Sequence, residues 1–202
     1  MAYRTTPKTE ARKDSRRKTL LEAANLLFGE HGYHATTVPM IVAEAASSTG
    51  SFYMYFRNKE DIFAATLQNL GEEVMTALVE AKATQTDPLM KIRAAVEALF
   101  LFLARNPRSA RLMIVESSGL SPGLEQVRRA ILARHAEEVR KTIESYSEGL
   151  VASDTAITAR CLVGAVFESL CAWLERSEDE RLPADVVARV VADYNVRALS
   201  RL

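Results

Sequence analysis

The sequence predicts an all-α protein of about nine helices, on three observations. Apolar residues recur at three- and four-residue spacing along almost the whole 202-residue chain. No run alternates apolar and polar residues as a half-buried strand does. Residues that accept hydrogen bonds from helix N-termini (Thr37, Ser48, Asn58 and Asp87) stand immediately before the periodic segments.

The elements follow in order. A first helix over residues 15–31 places Leu20, Ala23, Ala24, Leu27 and Phe28 on one face, and Gly32 stops it as a glycine able to take positive φ should. Thr37 caps a short helix running to about residue 45, with Pro39 tolerated in its first turn. Ser48 caps the next, over 49–56. Asn58 opens a long helix striped with Phe63, Leu67, Leu70, Val74 and Leu78. Asp87 and Pro88 open another, carrying Leu89, Ile92, Val96, Leu99, Phe100 and Leu103, which Asn106 and Pro107 break. A shorter helix over 108–116, a loop over 117–123 and a long helix to about residue 148 come next, the last with Val127, Ile131, Val139 and Ile143 facing inward. Helices over 155–176 and 184–199 complete the chain.

The penultimate helix is apolar nearly all round. Val163, Val166, Phe167, Leu170 and Trp173 form one face, and Ile157, Cys161, Gly164, Ala165 and Ala172 the other. A helix without a polar side must be covered on every side. Val187, Val190, Val191, Tyr194 and Ala198 of the last helix cover part of it. Small residues on its second face admit another helix closely, so a homodimer through 155–176 and 184–199 is expected. The competing reading is a central helix buried within one subunit.

Nearly half of the residues are apolar and the formal charge is zero, a globular composition. Charge is nevertheless uneven: residues 1–20 hold seven basic groups against two acids, a net of +5. A basic end on a mildly acidic body suits an anionic partner there, or simply a solvated terminus. Cys161 and Cys171 lie roughly 15 Å apart along one helix and cannot bridge within it. That usage favours a reduced, cytoplasmic setting. The N-terminus lacks the apolar core of a signal peptide, and the apolar stretch 161–174 is short for a bilayer and interrupted by Glu168, so no membrane partner is expected.

Residues 35–63, ATTVPMIVAEAASSTGSFYMYFRNKEDIF, are the most specific segment. Two short helices joined by a tight turn end in Tyr53, Tyr55 and Phe56, with Arg57 and Lys59 following at once. Hydroxyls, rings and cations so close together suit a helix laid in the major groove of DNA. Ser48, Thr49, Gly50 and Ser51 are small enough to let backbone approach the duplex. Tyr53 and Met54 reach toward base edges or thymine methyls, Tyr55 can donate its hydroxyl to a phosphate, Thr37 caps a helix whose amides face a phosphate, and Lys59 adds a cation. Phe52 and Phe56, four residues apart, belong to the core with Leu27, Phe28, Val38 and Ile41.

These residues resemble the DNA-binding region of the TetR family of tetracycline-repressor-like regulators. The matching pieces are AANLLFGEHGY (from Ala23), TTV (from Thr36), Ile41, Ala45, STGSFYMYF (from Ser48) and NKEDIF (from Asn58). The resemblance implies phosphate contacts from Thr37, Tyr55 and Lys59 and base contacts from Thr49, Gly50, Tyr53 and Met54. It implies a basic N-terminal arm over 1–14, a helix-turn-helix DNA-binding domain over 15–60 and a larger helical ligand-binding and dimerisation domain over 61–202. A homodimer on a near-palindromic double-stranded operator, released or engaged by a small effector, is the implied activity, with repression commoner than activation. The sequence departs from the family's Gly-Val-Ser turn, showing Ala46, Ser47 and Ser48 instead. An alanine forced to positive φ costs stability, so a sensor or scaffold with a weakened DNA motif is the alternative.

In the larger domain, Leu67, Leu70, Phe100, Leu103, Met113, Ile131, His135, Phe167 and Glu168 are candidate ligand contacts, each also readable as plain core or, for Glu168, as a pair across a dimer. Their composition favours an apolar effector. Catalysis is not expected: the three histidines show no metal-binding spacing, and neither a phosphate-binding glycine loop nor a nucleophile elbow occurs. No resident cofactor or metal is called for.

Overall fold

The computed structural model describes residues 7–145 and 154–199, and among these residues there are nine α-helices and no strand. They are α1 (Pro7–Ala35), α2 (Val38–Glu44), α3 (Thr49–Tyr53), α4 (Lys59–Ala83), α5 (Pro88–Arg105), α6 (Pro107–Arg111), α7 (Pro122–Glu144), α8 (Thr155–Leu174) and α9 (Ala184–Leu199). The chain divides into two compact units, Met1–Leu67 and Gln68–Leu202.

The first unit is built around aromatic side chains. Phe28, Phe52 and Phe63 are fully buried; the Phe63 ring meets Phe28 and Tyr33 edge-on, each at 4.8 Å between centroids. Such pairs add to the stabilisation that burial of each ring supplies. Because Ile62 and Phe63 belong to this core, the unit runs to Leu67 rather than ending at the expected residue 60. Helix α1 begins at Pro7, eight residues before the expected start, so residues 7–14 of the expected basic arm are helical. Lysine, arginine and glutamate favour helix without producing an apolar stripe, so periodicity could not reveal these roughly two turns. The rest of the expected arm, 1–6, lies outside the described residues. Gly32, at φ 77° and ψ 170°, breaks α1 near its end, as its position suggested.

The second unit buries two apolar clusters. Val96, Phe100, Leu103, Val166, Leu170 and Val191 anchor one; Ile92, Ala136, Ile143, Leu162 and Leu199 anchor the other. The expected caps are in place: Asp87 accepts from the Met90 amide at 2.9 Å and Asn58 from the Asp61 amide at 2.8 Å. The loop after α6 is shorter than expected, since Ser121 caps α7 and Pro122 takes its first position. Residues 112–116 form a π-helical turn where ordinary helix was expected. The proposed extension of α7 to residue 148 falls partly outside the described residues.

Helix α8 corrects the expectation drawn from its sequence in two ways. At 20 residues it is long and apolar enough to cross a membrane, so the argument from shortness fails. Its line of Ala159, Leu162, Val166, Leu170 and Leu174 is instead buried in this unit. The other side is not covered by the described residues: Ile157, Cys161, Gly164, Glu168 and Ala172 are exposed.

Candidate nucleic-acid interface and internal cavity

Helix α3 is positioned from both ends. Ser48, in extended conformation, accepts from the Ser51 amide at 3.1 Å, and the Phe52 carbonyl accepts from Tyr55 at 2.9 Å and Phe56 at 3.0 Å. Phe52 and Phe56 are buried, with the two rings 5.7 Å apart, and clamp one side of the helix inward. The opposite side is open: Tyr53 is 57% and Met54 70% exposed. Ser48, Thr49 and Gly50 are exposed too. A Cβ placed on Gly50 would meet nothing within 4 Å among the described residues, so their packing does not demand glycine there. Tyr55 is half-buried.

Three expected contacts sit differently. The Ser51 hydroxyl is buried and has no hydrogen-bond partner among the described residues, so it offers nothing to a duplex in this conformation. Lys59 does not project freely: its Nζ donates to the Tyr33 carbonyl at 2.8 Å and the His34 carbonyl at 3.3 Å and lies 4.4 Å from the Tyr33 ring centroid. It thereby satisfies carbonyls at the end of α1, a role set by residues 25 and 26 positions away. The Thr37 hydroxyl accepts from the Met40 amide at 3.4 Å, which occupies one of the amides otherwise available at the start of α2. Arg57, passed over among the candidate contacts, has an almost fully exposed side chain and is steadied by Asp61, whose Oδ2 accepts from its backbone N–H at 2.9 Å and from Nε at 3.3 Å. The same guanidinium holds the Asp61 carboxyl below its usual range.

The turn between α2 and α3 carries the strain its sequence foretold. Ala46 sits at φ 43°, the one non-glycine residue at positive φ among the described residues. The preceding turn is closed by the Ala46 amide on Ala43 at 3.0 Å and the Ser47 amide on Val42 at 2.9 Å.

The second unit encloses a cavity of about 100 Å³ with walls from α4, α5, the π-helical turn, α7, α8 and α9. Four of the expected ligand contacts line it: Leu103, Met113, His135 and Phe167. Five do not. Leu67 belongs to the first unit. Leu70 is buried away from the cavity, Phe100 packs against Trp173 with centroids 6.3 Å apart, and Ile131 lies against Gly71. Glu168 points from the exposed side of α8.

Lys82, Glu138, Thr142 and Asn195, which sequence reasoning missed, bring polarity to the cavity wall. Lys82 pairs with Glu138 at 3.5 Å, and Lys141 holds the same carboxylate at 2.9 Å. The Lys141 hydrogen bond and then the Lys82 charge keep the Glu138 carboxyl below its usual range. Burial, reinforced by the Arg134 and Lys82 charges, pushes His135 down to about 4, so its imidazole is neutral near pH 7. The described residues contain no group of side chains arranged to hold a metal ion.

A short helix with an aromatic inner face and an open outer one, held behind a capped turn, defines a helix-turn-helix protein. The chain belongs to the tetR family of bacterial regulatory proteins: residues 20–66 match the sequence model described as "Bacterial regulatory proteins, tetR family". It is 30% identical over 162 residues to the HTH-type transcriptional activator FasR of Mycolicibacterium smegmatis, covering 80% of this chain and 74% of that protein. A TetR-family regulator from Syntrophomonas wolfei shares the fold at TM-score 0.79 and 20% identity, over 93% of this chain and 96% of its own. FadR of Bacillus subtilis, solved with stearoyl-CoA, does so at TM-score 0.78 and 21% identity, over 89% and 97%. The protein is therefore a helix-turn-helix transcriptional regulator and not an enzyme, as its motif implied.

Proposed function

We propose that the protein acts in the cytoplasm as a homodimer that places α3 of each subunit in the major groove of a near-palindromic operator and changes its hold on DNA when a small, mainly apolar molecule enters the cavity. The observation that carries the reading is the two-sidedness of α3, whose buried Phe52 and Phe56 oppose the exposed Tyr53, Met54 and Ser48–Gly50 surface. Thr49, Gly50, Tyr53 and Met54 face the bases in this reading; Thr37 and Tyr55 contact phosphates and Arg57 joins them. Lys59 supports them chiefly by fastening α1.

The exposed faces of α8 and α9, with Ile157, Val190 and Tyr194 uncovered, support subunit association through those helices. The stearoyl chain of the ligand in the FadR structure supports an apolar effector for the cavity here. Helix α4 contributes Val74, Met75 and Leu78 to the cavity wall and begins at Lys59, directly after the helix-turn-helix, which supports a role for it in the response to a ligand. An effector acts only insofar as it binds one state of the dimer better than the other. Whether binding represses or activates then depends on where the operator lies, and the similar FasR protein is an activator.

Fluorescence anisotropy against DNA upstream of the protein's own coding region, over a salt series, tests the reading. Wild type is expected to bind in a salt-dependent, sequence-selective way. Gly50→Ala should fold normally yet bind at least tenfold more weakly, because its methyl group stands where backbone meets DNA. Tyr53→Ala should change which bases are preferred, at roughly 1–3 kcal/mol per altered contact. A Gly50→Ala protein with undiminished affinity would remove α3 from the interface.

A further inference from the structure

We propose that the cavity selects an uncharged, mainly hydrocarbon effector carrying one hydrogen-bond donor, a hydroxyl or an amide N–H, and that Asn195 Oδ1 is the acceptor that recognises it. This deepens the effector reading above and rests on it.

Asn195 stands on the inward side of α9 with no exposed surface, in line with Val191, Ala192 and Leu199, where an apolar residue would be ordinary. It lines the cavity. Its Nδ2 donates to the Val191 carbonyl at 3.1 Å, a bond one helical turn back that fixes the amide group and does not use Oδ1. Oδ1 is buried and has no hydrogen-bond partner among the described residues. Buried acceptors left unpaired are rare in folded proteins because their desolvation is not offset, so one carried by a residue that lines a cavity points to a partner that enters it.

Charge narrows the class. Lys82, the cation on the cavity wall, is already paired with Glu138, and Glu138 is held a second time by Lys141. His135 is neutral near pH 7. Arg134, beside it on α7, is engaged by Glu72. A carboxylate or phosphate entering here would have to break one of these pairs to be neutralised, whereas a hydroxyl or amide finds Oδ1 waiting. The Thr142 hydroxyl donates to the Glu138 carbonyl at 2.9 Å, and the other contacts are hydrocarbon or thioether, with Met75, Leu99, Met113, Leu132, Val163 and Phe167 among them. Methionines on the wall let it adjust to ligands somewhat larger than about 100 Å³.

Isothermal titration of the full-length protein with phenol, anisole and benzoate separates the possibilities, since these similar rings present a donor, an acceptor alone and an anion. Wild type is expected to bind phenol about tenfold more tightly than anisole, and benzoate more weakly than either, because a polar site rejects an analogue that leaves its buried group unpaired. In Asn195→Leu, whose side chain has nearly the same shape, the phenol-to-anisole ratio should fall to about one while anisole binding is kept. The free variant should melt no lower than wild type, since an unpaired buried acceptor has been removed. The wild-type ratio stands without the variant, should Asn195→Leu fold poorly. Equal binding of phenol and anisole by wild type, a preference that survives Asn195→Leu, or tightest binding by benzoate overturns the donor assignment but leaves a ligand cavity. Failure of all three probes to bind overturns the cavity as an effector site, and this inference with it.

Discussion

Ala46 carries its Cβ in the left-handed region, at φ 43°, in the turn that sets α3 against α2. That conformation costs an L-residue about 1–2 kcal/mol, which glycine avoids at the expense of about 0.4–1 kcal/mol of unfolded-state entropy. Ala46→Gly should therefore stabilise the protein by about 0.5–1 kcal/mol and raise Tm by a few degrees, read by thermal melting at fixed protein concentration. An unchanged or lowered Tm would show that the turn is relaxed around alanine. The strain was legible in advance because turn chemistry is local, and a short-range reading suffices to name the residue that bears it. Lys59 shows the opposite case. It reads as a free cation beside a DNA-binding motif, yet its ammonium is engaged by carbonyls of Tyr33 and His34. Nothing within a few residues of Lys59 could have announced partners a whole helix-turn-helix away.

At the scale of elements, α8 is divided between a buried line and an open one, and the open one bears small residues. A Cβ added to Gly164 would meet nothing within 4 Å among the described residues. Glycine inside a helix is otherwise unfavourable by roughly 1 kcal/mol against alanine, so its place on this face suits close approach by a partner helix. Gly164→Leu should retain its helix content but sediment as a monomer at concentrations where wild type is a dimer. A dimeric Gly164→Leu protein would place the interface elsewhere. Helix existence, caps and inward faces were readable because each follows from spacing and local hydrogen bonding. The cavity was only half readable: periodicity marks an inward face but cannot tell whether that face meets a wall, as Ile131 meets Gly71, or a void, as Leu103 does. Nothing in the local sequence pairs Lys82 with Glu138, and only the fold brings them together across 56 positions. Asn195 was hidden among the polar residues of an ordinary amphipathic helix.

For the whole molecule, the cavity couples stability to pH through His135. Its folded pKa of about 4 lies below the ordinary 6.5, so the unfolded chain takes up a proton first as pH falls. Stability is therefore intact above about pH 6.5 and is lost progressively as pH drops from there toward 4. The carboxylates held below their usual range, Asp61 and Glu138 among them, are ionised in both states near neutrality, and their losses come at lower pH. Exposed pairs such as Lys18 with Glu22 add little at any pH. Two and a half pH units of displacement, at about 1.36 kcal/mol each, predict a loss of about 2 kcal/mol between pH 7 and pH 5 from this one imidazole. Urea unfolding of wild type and His135→Gln at both pH values, at one protein concentration so that subunit association contributes equally, isolates the effect. Wild type should lose about 2 kcal/mol more than the variant on acidification. Equal losses would mean that His135 reaches solvent readily enough to be protonated in the folded protein, and that the cavity wall around it is open to water at neutral pH.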